Sequence, residues 1–253
     1  MNIAHLALSV LLACILVLIF AANSLARDEA APSYIVIHDF GAKPSTGTIL
    51  NGNTMLDLAD GQRIRLFGSN GKILDVVGPH DGTLPTLNST NPSNDPGLAE
   101  RLFNSLQQFL QFTVARSGGQ STVPDPGTLD LSNGGRHCVA AGQELLIWKP
   151  AWPKLSSVRI ERITDGRWER TWWDKDSTTN VWPFDVPADG ESAFLIRSDR
   201  PKIVSKVTLL VIDPLPTDPL AASSIYAKYG CFAQAHRQLL NIEADHVVVP
   251  VAR

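Results

Sequence analysis

The sequence predicts a mainly β protein. Three features carry that expectation: short alternating apolar runs between residues 34 and 77, Asp-Gly and Asn-Gly pairs at the ends of such runs, and a second series of short strands beyond residue 136. Only two stretches read as helix. The chain has 253 residues, 44% of them hydrophobic and 19% charged, a balance that excludes wholesale disorder. Its net charge is −3 and it has no block of like charges, which argues against a basic nucleic-acid arm or a polybasic membrane patch.

The amino-terminal stretch reads as an export signal. Residues 1–26 hold no Asp, Glu, Lys or Arg, residues 3–22 are almost unbroken apolar, and the small side chains of Ser24 and Ala26 suit a signal peptidase. Cleavage is expected after Ala26, which delivers a periplasmic or secreted protein. The alternative is an uncleaved anchor in the inner membrane formed by residues 3–22, close to the roughly 20 residues that span a bilayer. Leu11-Leu12-Ala13-Cys14 loosely resembles a lipobox, but apolar residues continue from Ile15 to Phe20, where a lipoprotein turns polar. With Cys14 inside the signal, Cys138 and Cys231 remain. An even pair in an oxidising compartment is expected to form a disulfide, and two separate buried thiols are the alternative.

Residues 27–94 read as a small antiparallel meander. Tyr34-Ile35-Val36-Ile37 is its first strand, and Leu56 and Leu58 share a face of the next. Asp60-Gly61 turns the chain into Arg63-Ile64-Arg65-Leu66, and Asn70-Gly71 turns it again into residues 73–77. Such pairs between alternating runs signal hairpins because both residues tolerate positive φ. The run Leu56-Asp57-Leu58-Ala59-Asp60-Gly61-Gln62-Arg63-Ile64-Arg65-Leu66 resembles the β-repeat of FecR-type periplasmic domains. That resemblance implies a Gram-negative periplasmic setting. It does not carry over the family's relay to a sigma factor, which needs a cytoplasmic anti-sigma segment.

Residues 95–116 are expected to form one linking helix, with Asp95 as N-cap and Pro96 at the first helical position. Leu98, Leu102, Phe103, Leu106, Phe109, Leu110 and Phe112 make a broad apolar stripe, expected to pack on the protein itself. Residues 117–135, rich in Gly, Ser, Pro and Asp, read as a linker. Residues 136–253 then carry strands at 143–148, 157–163, 167–173, 192–196 and 204–212, a spacing that predicts an Ig-like β-sandwich. Asp165-Gly166 is a hairpin turn between two of them, and residues 219–240 read as a closing helix.

No catalytic motif stands out: H-E-x-x-H, the P-loop, G-x-G-x-x-G and G-x-S-x-G are all missing. No catalytic residue, metal or cofactor is therefore expected. His38-Asp39 and His80-Asp81 read as turn residues, although two such pairs could in principle converge. Asp174-Lys175-Asp176 begins like a calcium loop, then has Thr179 and Asp185 where glycine and glutamate are needed.

All six tryptophans lie between Trp148 and Trp182. On an extended strand Trp168, Arg170 and Trp172 share one face, while Glu169, Thr171 and Trp173 share the other. They read either as the core of a sandwich or as a contact surface, with Trp168, Trp172 and Trp173 the candidate contact residues. The leading expectation is a non-catalytic exported interaction or scaffold protein whose partner is another envelope protein. The alternative is a carbohydrate-binding module using the Trp148–Trp182 cluster, with a polysaccharide as partner. A hydrolase using His38, Asp39, His80 and Asp81 is a second alternative. Nucleic acid is not expected as a partner, and the membrane only through an uncleaved amino-terminal segment.

Overall fold

A computed structural model of the chain describes residues 32–84, 96–113, 125–131, 133–149, 157–174, 176–187, 189–199, 202–243 and 245–247. The expected export signal, Asp95, residues 114–124 of the expected helix end and linker, and Trp152 lie outside these residues. The fold is mainly β, as the alternating runs require.

The first sheet is built from β1 (Ser33–His38), β2 (Ile49–Asn51), β4 (Arg63–Gly68), β5 (Ile73–Val77) and β15 (Asp245–Val247), in the order β15-β5-β4-β1-β2. Asn70-Gly71 makes the antiparallel β4–β5 hairpin, with Gly71 at a φ of 82°. Asp60-Gly61 does something different from the hairpin expected there. The strand before it, β3 (Met55–Leu58), pairs with β6 (His80–Thr83) in a separate two-stranded ribbon and not with β4. The turn is an arch that carries the chain from one layer to another. Leu56 and Leu58 of β3 and Ile64 and Leu66 of β4 all lie in the core between those layers. A second arch at Gly78-Pro79 closes the ribbon. Here only glycine fits, because a Cβ on Gly78 would sit 1.9 Å from the Ala59 carbonyl oxygen.

The other face of the first sheet is covered by helices. Helix α1 (Pro96–Thr113) buries Ala99, Leu102, Phe103, Leu106 and Leu110 there, so its apolar stripe packs on the protein as expected. Two more helices, α2 (Pro219–Lys228) and α3 (Phe232–Leu240), complete this layer. They replace the single closing helix expected over residues 219–240. The Cys231 N–H bonds to the Tyr226 carbonyl and the Gly230 N–H to the Ala227 carbonyl, with Gly230 at a φ of 79°. That is a Schellman stop, and it ends α2 before α3 begins.

The second β part is a two-layered sandwich. Its larger sheet runs β11 (Trp168–Trp172), β10 (Ser157–Arg162), β13 (Glu191–Asp199), β14 (Lys202–Ile212), β8 (Gly135–Ala140). Its smaller sheet runs β12 (Thr179–Val181), β9 (Leu146–Trp148), β7 (Leu129–Asp130). Between them lie Leu129, Leu131, Ile147, Val158, Ile160, Trp182, Phe184, Phe194, Ile196, Val207 and Leu209. Two of the pairings, β14 with β8 and β7 with β9, are parallel. Residues 128–131, which the composition placed in a linker, belong to this core: Thr128, Leu129 and Leu131 are all buried.

The disulfide forms between Cys138 on β8 and Cys231 at the start of α3. Around it the Gln234 side chain accepts the Cys138 N–H at 2.6 Å and donates to the Cys138 carbonyl at 2.8 Å. Gln234 thus satisfies backbone groups on β8, an edge strand. The same helix reaches the first sheet. His236 donates from Nε2 to the Ile37 carbonyl at 2.7 Å, and Arg65 donates to the Leu240 carbonyl at the end of α3. Arg65 and Arg63 also grip the fully buried Asp75. By its contacts the chain from residue 32 onward is one compact unit, with Ile35, Phe67, Cys138, Ile212 and Tyr226 sharing one core cluster.

Candidate ligand-binding face

The larger sheet of the sandwich has one face turned to the core and one turned outward. Strands β10 and β11 form a hairpin at Asp165-Gly166, with Gly166 at a φ of 70°. Alternation along β11 then sorts its side chains. Thr171 and Trp173 are 6% exposed and face the core, while Trp168 and Trp172 are 48% and 59% exposed. Arg170 lies between the two tryptophans on the outward face.

Trp173 is thereby removed from the candidate contact residues. It shares the parity of Thr171, and that parity points into the sandwich. Trp148 and Trp182 are buried as well, Trp182 edge-on to Phe194 with ring centroids 4.9 Å apart. Among the described members of the tryptophan cluster, Trp168 and Trp172 remain for a ligand.

The neighbouring strands add a feature the sequence reading missed. Arg170 on β11 is the register partner of Arg159 on β10, and Arg159 is the register partner of Arg197 on β13. Three arginines therefore stand in one row across adjacent strands, roughly 5 Å apart in the hydrogen-bonding direction. Like charges placed directly opposite one another destabilise a sheet. Arg159 is partly balanced by Glu161 at 3.2 Å. Among the described residues Arg170 and Arg197 have no ion-pair partner. Lys206, opposite Leu195, and Val204, opposite Arg197 and 68% exposed, continue the face onto β14.

The arginines also hold the tryptophans. The Arg159 guanidinium lies 4.6 Å from the Trp168 ring centroid and that of Arg170 lies 5.6 Å from the Trp172 ring. Each contact is a cation–π pair that restrains a ring which would otherwise be free to turn. The two rings stand four residues apart on one strand, roughly 13 Å. The signal for the row was present in the alternation of Ser157, Arg159 and Glu161 against Val158 and Ile160. What joins it to Arg197 is strand order, which no local pattern contains.

The other candidates are dispersed. Asp39 accepts the N–H groups of Gly41 and Thr46 and the Thr46 hydroxyl. Burial would raise its pKa, but these hydrogen bonds outweigh it and hold the carboxyl low. Its work is to shape a turn. His38 stacks edge-on against Phe40, and burial lowers its pKa, opposed by Asp39 and Asp75 and reinforced by Arg65 and Arg63. His80 is buried in β6, and Asp81 faces Asp57 across the ribbon. Among the described residues no group of three or more His, Cys, Asp and Glu side chains is placed to hold a metal ion. No described helix is long and apolar enough to cross a membrane.

No protein-family model matches the chain, and no curated protein matches it in sequence. Among solved structures it is similar to a glucan-utilisation surface protein of Bacteroides ovatus, SGBP-B, determined in complex with a mixed-linkage heptasaccharide. Identity is 10% and the TM-score 0.22, over 73% of this chain and 38% of that one. A likeness of that degree carries no argument about what this chain binds.

Proposed function

We propose that this chain is a non-catalytic, exported binding protein that takes a polysaccharide on the outward face of its sandwich. The observation that carries the reading is the pair of tryptophans, Trp168 and Trp172, standing exposed on one strand with their rings restrained by arginines. Large apolar rings are costly to leave in water and are natural platforms for the apolar faces of sugar rings. Their separation suits an extended chain of sugars laid along β11 better than a single small molecule in a pocket.

Export is supported by the charge-free apolar leader at residues 1–26 and by the Cys138–Cys231 disulfide, a bond that persists in oxidising compartments. The test is titration with a panel of neutral and acidic polysaccharides, read by tryptophan fluorescence. A saturable change is expected in the wild type and lost in a Trp168→Ala/Trp172→Ala double variant. A panel that leaves the fluorescence unmoved ends this reading.

A further inference from the structure

We infer that the polysaccharide is polyanionic, with carboxylate or sulfate groups that meet the arginine row. The inference rests on the binding reading above and adds the ligand's charge. The whole chain is net negative at −3, yet on the outward parity of this sheet Arg159, Arg170, Arg197, Lys202 and Lys206 stand against Glu161, Glu191 and Asp199, and Glu191 is taken up by Arg136. Cations are concentrated here against the overall balance. The in-register placement of Arg170, Arg159 and Arg197 costs stability in the free protein. An acid group bridging the row removes that repulsion.

Guanidinium groups match carboxylate and sulfate oxygens with paired N–H donors, which a lysine does not do. The two kinds of side chain are arranged at right angles. Trp168 and Trp172 run along the edge strand, and the arginine row starts midway between them and crosses the sheet. A sugar polymer lying along β11 therefore stacks on both rings, while the acid substituent of a sugar between them lies over Arg170. Substituents directed inward over the sheet reach Arg159 and Arg197. A single-stranded nucleic acid also offers stacking faces and anions. The disulfide points to an oxidising compartment outside the cytoplasm, in which polysaccharides are the abundant polyanions.

The experiment measures binding of the disulfide-intact protein to four probes at several salt concentrations: polygalacturonate, dextran sulfate, unmodified dextran and a single-stranded oligodeoxynucleotide. Wild type is expected to bind one or both acidic polymers, with affinity falling as salt rises, and to bind dextran far more weakly. The better of the two acidic polymers tells carboxylate from sulfate. Arg170→Gln and Arg197→Gln should each weaken that binding by roughly tenfold, the loss of a charge-assisted hydrogen bond. Lys228→Gln, on α2, should leave it unchanged. Dextran bound as tightly as the acidic polymers, or arginine variants that bind like wild type, overturns the polyanion while leaving sugar stacking in place. An oligonucleotide bound more tightly than either acidic polymer overturns the glycan itself. Should an arginine variant fold poorly, the salt dependence of the wild type decides alone: salt-insensitive binding sinks the proposal.

Discussion

The two five-stranded sheets of this protein are built to opposite plans. In the first, Tyr34, Ile35, Val36 and Ile37 of β1 are all buried, and four consecutive residues of β5 are buried too. Both faces are covered, one by the ribbon of β3 and β6 and the other by α1, α2 and α3. In the larger sheet of the sandwich, β10 and β11 alternate, and the helical cluster takes in only the β14–β8 side through Cys138, Leu210 and Ile212. Among the described residues nothing covers the β11 side, where Trp168 and Trp172 stand exposed. A sheet closed on both faces has only stability to offer. A sheet with half a face left open, and that half furnished with tryptophan and arginine, has a surface to present.

On this contrast, damage to the coverings costs stability and spares binding, and damage to the exposed face does the reverse. The largest effect is expected from replacing both Cys138 and Cys231 by alanine. The bridge closes a loop across a separation of 93 residues, and its removal should cost about 4–5 kcal/mol in urea denaturation. Trp182→Ala should follow at about 3–5 kcal/mol, because it empties space against Phe184 and Phe194. Asp75→Asn leaves Arg65 without its buried counter-charge. With Arg63 partly solvated, a loss of about 3 kcal/mol is expected, at the lower end for a broken buried pair.

Acid sharpens the contrast without mutation. Burial pushes His137 down to about 3 and His236 down to about 4, against the hydrogen bonds each makes to a backbone carbonyl. Their folded pKa values lie below the unfolded value near 6.5. The stability they confer is therefore complete above pH 6.5 and is lost as pH falls from there toward 4. A urea midpoint that stays level across that window would remove both histidines from the account. Last comes the smallest effect on stability. Trp172→Ala should change the unfolding free energy by no more than about 0.5 kcal/mol, since its ring is mostly in water, while abolishing polysaccharide binding. A Trp172→Ala protein as unstable as Trp182→Ala would erase the distinction between the two kinds of tryptophan.

Much of the β framework was legible in the chain. Gly71 and Gly166 sit at hairpin turns where their Asn-Gly and Asp-Gly pairs announce them, and the strands of more than five residues after 157 appear near their expected bounds. The strands of two or three residues were mostly not legible: β2, β7, β12 and β15 are too short for a period-two pattern to rise above chance, and β9 showed only inside the longer run expected at 143–148. Asp60-Gly61 announced a turn and gave no sign that it joins two layers, since an arch and a hairpin use the same residues. The stop at Gly230 carried a local signal, a glycine after an aromatic residue, that the apolar content on either side concealed. At the candidate site, parity separated Trp168 and Trp172 from Trp173. Which parity faces water is decided by the sheet packed beneath, and the arginine row by strand order.

The reach of α3 and β15 back to the first sheet has a consequence in time. His236 and Ile37 stand 199 residues apart in sequence, and Arg65 and Leu240 stand 175 apart. Beyond them β15 pairs with β5. The sandwich draws its strands from residues 129–212 and can close before the rest of the chain has emerged. The first sheet must wait, with the edge of β5 unpaired and its helical face incompletely covered. Contacts of such separation are slow to form and leave an aggregation-prone edge in the interval. The sheet made first is the one that matures last.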